Sequence, residues 1–255
     1  MEHLTFDFKP DLPVHYAFQK ARYDCEHLLI VMSGFNVPDP TVYDFNMLQH
    51  CRSAILWIKD DFNRLPAYYL CRGMKFDVEQ GVSALIEAVI SHIKPKSVSI
   101  MGGSKGGTAA LYYGIKHKLK NIISLVPQFK IGSYVTEGHW AQVGKEMMGN
   151  VTLTNRTMLD SLLPHKIKSD RQLDRNIYLF SSTEDKQFLT EVEPNLPLFE
   201  KYENFNLIMS KSPCVTQHIE VTAYNINLIL SLIYQFEAEI APRWGKIENG
   251  SLRTR

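Results

Sequence analysis

One serine in this chain stands among glycines in a pattern that suits a nucleophile. In SVSIMGGSKGGTAALYYG, Ser97 to Gly114, the residues Gly102, Ser104 and Gly106 form a G-x-S-x-G between an alternating apolar run and a helix-forming run. A serine that attacks a carbonyl carbon needs this context. It occupies a sharp strand-to-helix turn, and only small neighbours let strand and helix approach so closely. Such a serine also needs a base and an acid that orients the base, and on a strand-turn-helix elbow they follow in the chain order Ser, Asp or Glu, His. Glu184 and Asp185 come directly after NIYLFSST, and His218 comes after FNLIMSKSPCVTQ. Of nine histidines only His218 lies beyond Asp185, so chain order selects it. Asp185 is the preferred acid because its short carboxylate suits orienting an imidazole from a loop; Glu184 is the alternative. The chemistry these three would perform is acyl transfer through an acyl-serine, with water or an alcohol as acceptor.

The negative oxygen of a tetrahedral intermediate needs two donors. The amide of Lys105, at the N-terminus of the helix that follows Ser104, is one. The second is expected in SGFN, after the run HLLIVMS, from the amide of Phe35 with Gly34 giving room; Ser33 stands where hydrolases with this arrangement often carry His. Two other glycine loops fail on spacing. A Walker loop needs G-x-x-x-x-G-K-[ST], and here Lys105 precedes the second glycine pair. A dinucleotide fingerprint needs G-x-G-x-x-G, which Gly102, Gly103, Gly106 and Gly107 do not provide. A tight turn carrying an idle serine is the plain structural alternative.

These residues must be positioned by a sheet. HLLIVMSG, SAILWIKD, SVSIMGG, NIISLVPQ, NIYLFSST and FNLIMSKS are short β-rich runs, several almost continuously apolar, as strands covered on both faces are. Between them Val78, Val82, Leu85, Ile86, Val89, Ile90 and Ile93 recur at helical spacing before Pro95. Val221 to Phe236 reads as a further helix, and LTFDF with YAFQKAR as an antiparallel hairpin at one edge. The alternation implies an α/β class: one mostly parallel, doubly wound sheet, α/β-hydrolase-like, in a single domain spanning residues 1–255. Residues 129–175 break the alternation and are expected to form a lid, since a long insertion between core strands usually covers a site.

Composition narrows the partners. With 28 Lys and Arg against 27 Asp and Glu, the overall field does not favour nucleic acid. No run approaches the roughly 18 apolar residues of a membrane span, and the opening MEHLTFDFKP lacks the pattern of an export signal, so a cytoplasmic protein is expected. Cys25, Cys51, Cys71 and Cys214 show no metal-ligand spacing and read as reduced, mostly buried thiols; no metal is expected. Lys105 beside the nucleophile, and the basic run Lys166, Lys168, Arg171 and Arg175 at the end of the expected lid, are candidates to meet coenzyme phosphates or a polyanionic glycan. A snorkelling lysine and a solvated charged face are the alternatives.

The 28 residues MGGSKGGTAALYYGIKHKLKNIISLVPQ, Met101 to Gln128, resemble the elbow region of bacterial capsule-polysaccharide O-acetyltransferases of the α/β-hydrolase fold, in which a G-[SG]-S-K-G-G elbow leads to a helix and then a strand ending near Pro-Gln. The SGF loop and the late acid and histidine fit the same group. The resemblance implies a Ser-His-Asp triad of Ser104, His218 and Asp185 that moves acetyl from acetyl-CoA to a sugar hydroxyl, with no permanently bound cofactor. It does not extend to CVTQHIE, where the family carries a glycine-rich turn before its histidine, nor to residues 129–175. A serine esterase using water, and a scaffold without activity, stand beside the transferase as readings.

Overall fold

The computed structural model describes residues 2–35, 42–62, 64–136 and 138–250. Their centre is one sheet of nine strands: β1 (Glu2–Lys9), β2 (Leu12–Gln19), β3 (His27–Met32), β4 (Ala54–Ile58), β5 (Ser97–Gly103), β6 (Asn121–Leu125), β7 (Asn176–Ser181), β8 (Asn204–Ser210) and β9 (Lys246–Asn249), in the order β1-β2-β4-β3-β5-β6-β7-β8-β9. β1 and β2 form the expected antiparallel hairpin at one edge, and β2 is antiparallel to β4. All the other pairings are parallel.

Alternation along β3 shows why the sheet must be covered twice. Leu28, Ile30 and Met32 enter one apolar cluster and Leu29 and Val31 the other, and all five are fully buried. The first cluster is closed by α1 (Asp77–Ile93), α2 (Lys105–Lys116) and α5 (Leu153–Ser169), through residues such as Val82, Ala110 and Leu163. The second is closed by α6 (His218–Tyr224) and α7 (Ile226–Glu237), through Val221, Ile229, Leu232 and Phe236. A parallel strand needs a crossover before it, and α1, α2, α5 and α6 with α7 lie in the connections that lead into β5, β6, β7 and β9.

Three expectations about elements are revised. Residues 129–175 fold as α3 (Ile131–Thr136), a short turn, α4 (Ala141–Met148) and α5. α5 buries Leu159, Leu163 and Ile167 in the core, so it is the ordinary crossover from β6 to β7, and only the part before it reaches the site described below. The C-terminal helix is divided at Asn225, whose buried side chain donates to Ser210 Oγ and to the Val221 carbonyl instead of facing solvent. β9 follows it as a parallel edge strand, so β8 is not the last strand. Cys51 and Cys71 are buried, but Cys25 is half-buried and Cys214 exposed, and none is disulfide-bonded. Among the described residues no helix is long and apolar enough to cross a membrane.

The chain leaves β3 toward β4 on one side and leaves β5 toward β6 on the other. At such a reversal of strand order the loops beyond the C-terminal strand ends diverge and open a crevice. Gly34 and Phe35 follow β3, and Ser104 follows β5, at that crevice.

Candidate active site

Ser104 is the residue between β5 and α2, with φ 55° and ψ −123°. A non-glycine residue there is strained by about 1–3 kcal/mol, and the strain holds only because the neighbours leave no alternative. Those neighbours are glycines by necessity. A Cβ on Gly106 would overlap the Met32 carbonyl oxygen, and one on Gly102 would overlap the Gly106 backbone. β5, β3 and α2 thus meet backbone to backbone beneath the serine.

Two other elements bring polar groups to its hydroxyl. His218 is the first residue of α6, held there by a capping box in which the Glu220 carboxylate accepts from the Gln217 and Thr216 amides at 3.2 and 2.6 Å. Asp185 lies in the loop after β7, is 2% exposed, and accepts the Gln187 amide on Oδ1 at 2.9 Å. Its other oxygen accepts from His218 Nδ1 at 2.7 Å, and Ser104 Oγ lies 2.9 Å from His218 Nε2. An Nδ1–H directed at the carboxylate leaves the Nε2 lone pair for the serine proton. Asp185, His218 and Ser104 therefore form one hydrogen-bonded chain. Glu184, the alternative acid, is exposed and takes no part in it.

The serine and histidine line a cavity of about 600 Å³ together with Gly34, Phe35, Trp140 and Ile226. The loop after β3 is therefore at the site, but its amides are not equivalent: Gly34 donates to Asp44 Oδ2 at 2.6 Å. The Phe35 ring stacks on Trp140, with centroids 3.9 Å apart, and meets Tyr68 edge-on. Phe35 and Trp140 also bound a second cavity of about 660 Å³, lined by Asp60, Asp61, Arg64 and His139 among others.

The basic residues are placed differently from expectation. Lys105 points inward from the first turn of α2 and is fully buried. Its Nζ donates to Asp60 Oδ2 at 2.6 Å and lies 4.3 Å from the centre of the Tyr69 ring. Burial pulls its ammonium below the ordinary lysine value, while Asp60 opposes that shift. A side chain so enclosed does not meet a coenzyme phosphate, and it does not snorkel. Arg175 is also buried, its guanidinium donating to the Asp170 carboxylate and to the carbonyls of Gly114, Ile115 and Leu119 at the end of α2. Lys166 lies over the Tyr112 ring at 4.9 Å, and Lys168 and Arg171 are exposed near the start of β7. β7 runs parallel to β6 and β6 to β5, so this run sits at the sheet end opposite Ser104.

Sequence reasoning missed Gln128. It is fully buried three residues beyond β6, and its Nε2 donates to Ser104 Oγ at 2.9 Å. The only trace in the sequence is the Pro-Gln that ends the stretch Met101 to Gln128.

No protein-family model matches this sequence, and no curated protein does. Solved structures do match. The capsule O-acetyltransferase of Neisseria meningitidis serogroup A is 21% identical over 89% of this chain and 96% of its own, with a TM-score of 0.69. A histidine-to-alanine mutant of that protein in complex with CoA is 19% identical over 91% of this chain and 94% of its own, with a TM-score of 0.71. Est1E from Butyrivibrio proteoclasticus is 12% identical over 93% and 98%, with a TM-score of 0.62. These likenesses span nearly the whole of each chain and show that the protein has the α/β-hydrolase fold.

Proposed function

We propose that the protein is a serine acyltransferase that moves acetyl from acetyl-CoA to a hydroxyl of a bacterial surface polysaccharide. The observation that carries this reading is the Asp185–His218–Ser104 chain, ending on a strained serine that opens into a cavity. His218 Nε2 accepts the Ser104 proton as Oγ attacks the thioester carbon, and passes it to the departing thiolate. It then takes the proton of the acceptor hydroxyl, whose oxygen attacks the acyl-serine, and returns that proton to Ser104 Oγ. The Lys105 and Phe35 amides are the donors assigned to the tetrahedral oxygen, with Gly34 leaving room for it. Arg64 and His139, in the adjoining cavity, take the place of the basic run as candidates for the coenzyme phosphates. Acetyl-CoA is a substrate in this scheme, and the reading places the reaction in the cytoplasm, where that donor is found.

Esterase action is the second reading. The same three side chains serve it, with water as acceptor, and the likeness to Est1E supports it. What favours transfer is the likeness over nearly full length to a capsule O-acetyltransferase, one structure of which holds CoA.

Thiol release from acetyl-CoA, followed in wild type and Ser104→Ala with and without a panel of bacterial polysaccharides, separates the readings. Release that requires both Ser104 and one polymer supports the transferase, and Ser104→Ala lowers it at least about 10³-fold. Release that requires Ser104 but no polymer, joined by cleavage of simple esters, supports the esterase. Equal inactivity of the two proteins toward thioesters and esters alike removes both.

A further inference from the structure

We propose that Gln128 sets the direction of the Ser104 hydroxyl proton, donating from Nε2 to Ser104 Oγ so that the hydroxyl has His218 Nε2 as its acceptor. The inference rests on the reading of Ser104 as nucleophile and adds to it a residue outside the Ser-His-Asp set.

A serine hydroxyl rotates freely and both gives and receives hydrogen bonds. A general base removes its proton efficiently only when that proton already points at the base. At Ser104 two nitrogens lie 2.9 Å from Oγ, His218 Nε2 and Gln128 Nε2. Gln128 Nε2 is an amide NH₂ and only donates. It therefore fills an Oγ lone pair, and the serine proton is left to the imidazole.

The His218 tautomer fixes which end of the Gln128 amide faces the serine: with Nδ1–H on Asp185, Nε2 offers only a lone pair, so the one Ser104 proton goes there and Oγ accepts from Gln128. Gln128 Nε2 also donates to Gln187 Oε1 at 2.9 Å, while its Oε1 accepts from the Tyr68 hydroxyl at 3.1 Å. Both of its N–H groups and its oxygen are thus used. The Gln187 backbone amide donates to Asp185 Oδ1 at 2.9 Å. The Gln128 backbone is clamped as well: its amide donates to Thr108 Oγ1 at 2.9 Å, and its carbonyl accepts from the same hydroxyl at 2.8 Å. A ring of hydrogen bonds therefore runs from Ser104 through His218, Asp185, Gln187 and Gln128 back to Ser104. As the proton leaves Oγ, the same N–H disperses the charge that develops there, and it does so again when Oγ is the leaving group of the second half-reaction.

Labelling by an alkyl fluorophosphonate reads this step without the natural substrates. Ser104 Oγ bonds to phosphorus, the P–F bond breaks, and the serine proton passes through His218 as fluoride leaves. Wild type is labelled at Ser104 and Ser104→Ala is not. Gln128→Met, of similar volume but without a donor, labels about tenfold more slowly at saturating probe, with unchanged probe affinity and a lowered unfolding midpoint, since the buried Tyr68 hydroxyl loses its acceptor. Gln128→Glu adds a test that a merely structural role would not move. Burial raises that carboxyl's pKa. Once ionised, it accepts a hydrogen bond from the Ser104 hydroxyl and so competes with His218. Relative to wild type at the same pH, the Gln128→Glu labelling rate therefore falls as pH rises and its carboxyl ionises. Gln128→Met labelling at the wild-type rate, or a Gln128→Glu profile shaped like that of wild type, overturns the proposal. If Gln128→Met fails to fold, the shape of the Gln128→Glu profile decides alone. Failure of wild type to label overturns the nucleophile reading itself, and this inference with it.

Discussion

The two ends of the central sheet handle polar residues in opposite ways. At the end where the parallel strands begin, polar side chains consume one another. Asn176 donates to Asn121 and Asn204 donates to Asn176, each at 2.7 Å, and Arg175 closes the last turn of α2. Glu237 accepts from the Arg52 amide and from both the amide and the hydroxyl of Ser53. At the end where the strands finish, polar groups converge on one oxygen beside a cavity, and the backbone beneath that oxygen is strained. Both ends are rich in Asn, Ser, His and charge, so residue type does not separate them. Strand direction does, because the diverging loops beyond the C-terminal strand ends are where a ligand fits.

Lys105 is the sharpest exception to that contrast, a charged residue at the Ser104 end that behaves like those at the other. Its ammonium joins α2 to Asp60, two residues past β4, and Asp60 Oδ1 also accepts the amides of Ala67 and Tyr69 at 3.0 and 3.1 Å. Lys105→Met leaves that carboxylate buried without its cation and is expected to lower unfolding free energy by about 3–5 kcal/mol in a denaturant titration. Adding Asp60→Asn removes the stranded charge, keeps an oxygen for the two amides, and recovers a substantial part of the loss. If Lys105→Met is as stable as wild type, the elbow does not depend on this pair, and Lys105 is no exception to the contrast between the two ends.

At the opposite end the corresponding test is His27, buried at the start of β3. Ser53 Oγ donates to Glu237, so it accepts from His27 Nδ1 at 2.8 Å, which leaves Nε2 to accept from Ser99 at 2.8 Å. That arrangement requires a neutral ring, and burial pushes the His27 pKa down to about 4. A group whose pKa is lower folded than unfolded contributes stability above its unfolded pKa, near 6.5, and loses it as pH falls toward 4. Wild type should therefore lose on the order of 3 kcal/mol between those pH values relative to His27→Gln, which has no such proton to take up. Parallel stability curves for the two proteins would show that the end expected to be fully satisfied tolerates the charge.

Much of this architecture was legible before the structure. The six apolar runs became β3 to β8, because strands buried on both faces leave an unbroken hydrophobic signal. Ser104, Asp185 and His218 were legible because an elbow and a chain order constrain three residues together. β9 was not, since KIEN is four residues long and alternates between exposed and half-buried positions at an edge. α5 was obscured by Pro164 inside it and by its polar exposed positions, although Leu159, Leu163 and Ile167 keep helical spacing. Gln128 carried no signal of its own: one amide side chain after a strand reads as a turn residue until the fold turns it toward a serine. The basic run misled for a related reason, because its place in the chain beside the insertion suggested a place beside the site.

That last point carries the smallest expected effect and the most direct test of the contrast. β5 has seven residues, so its two ends are separated by roughly 20 Å at about 3.3 Å per residue. The Debye length at physiological ionic strength is about 8 Å, so exposed charges at the far end are largely screened from a donor bound near Ser104. Reversing Lys168 and Arg171 together to glutamate should leave kcat and the KM for the acyl donor within about twofold of wild type, as screening of distant surface charges requires. Arg64→Glu, beside the Phe35–Trp140 stack, is the matched change at the Ser104 end and should raise that KM without altering kcat. A rise in KM from the Lys168 and Arg171 reversal, with none from Arg64→Glu, would mean that the donor or a polymer reaches around the molecule to the sheet end where the strands begin. The division between a self-satisfied end and the end that carries Ser104 would then describe the folded chain but not its encounter with a donor.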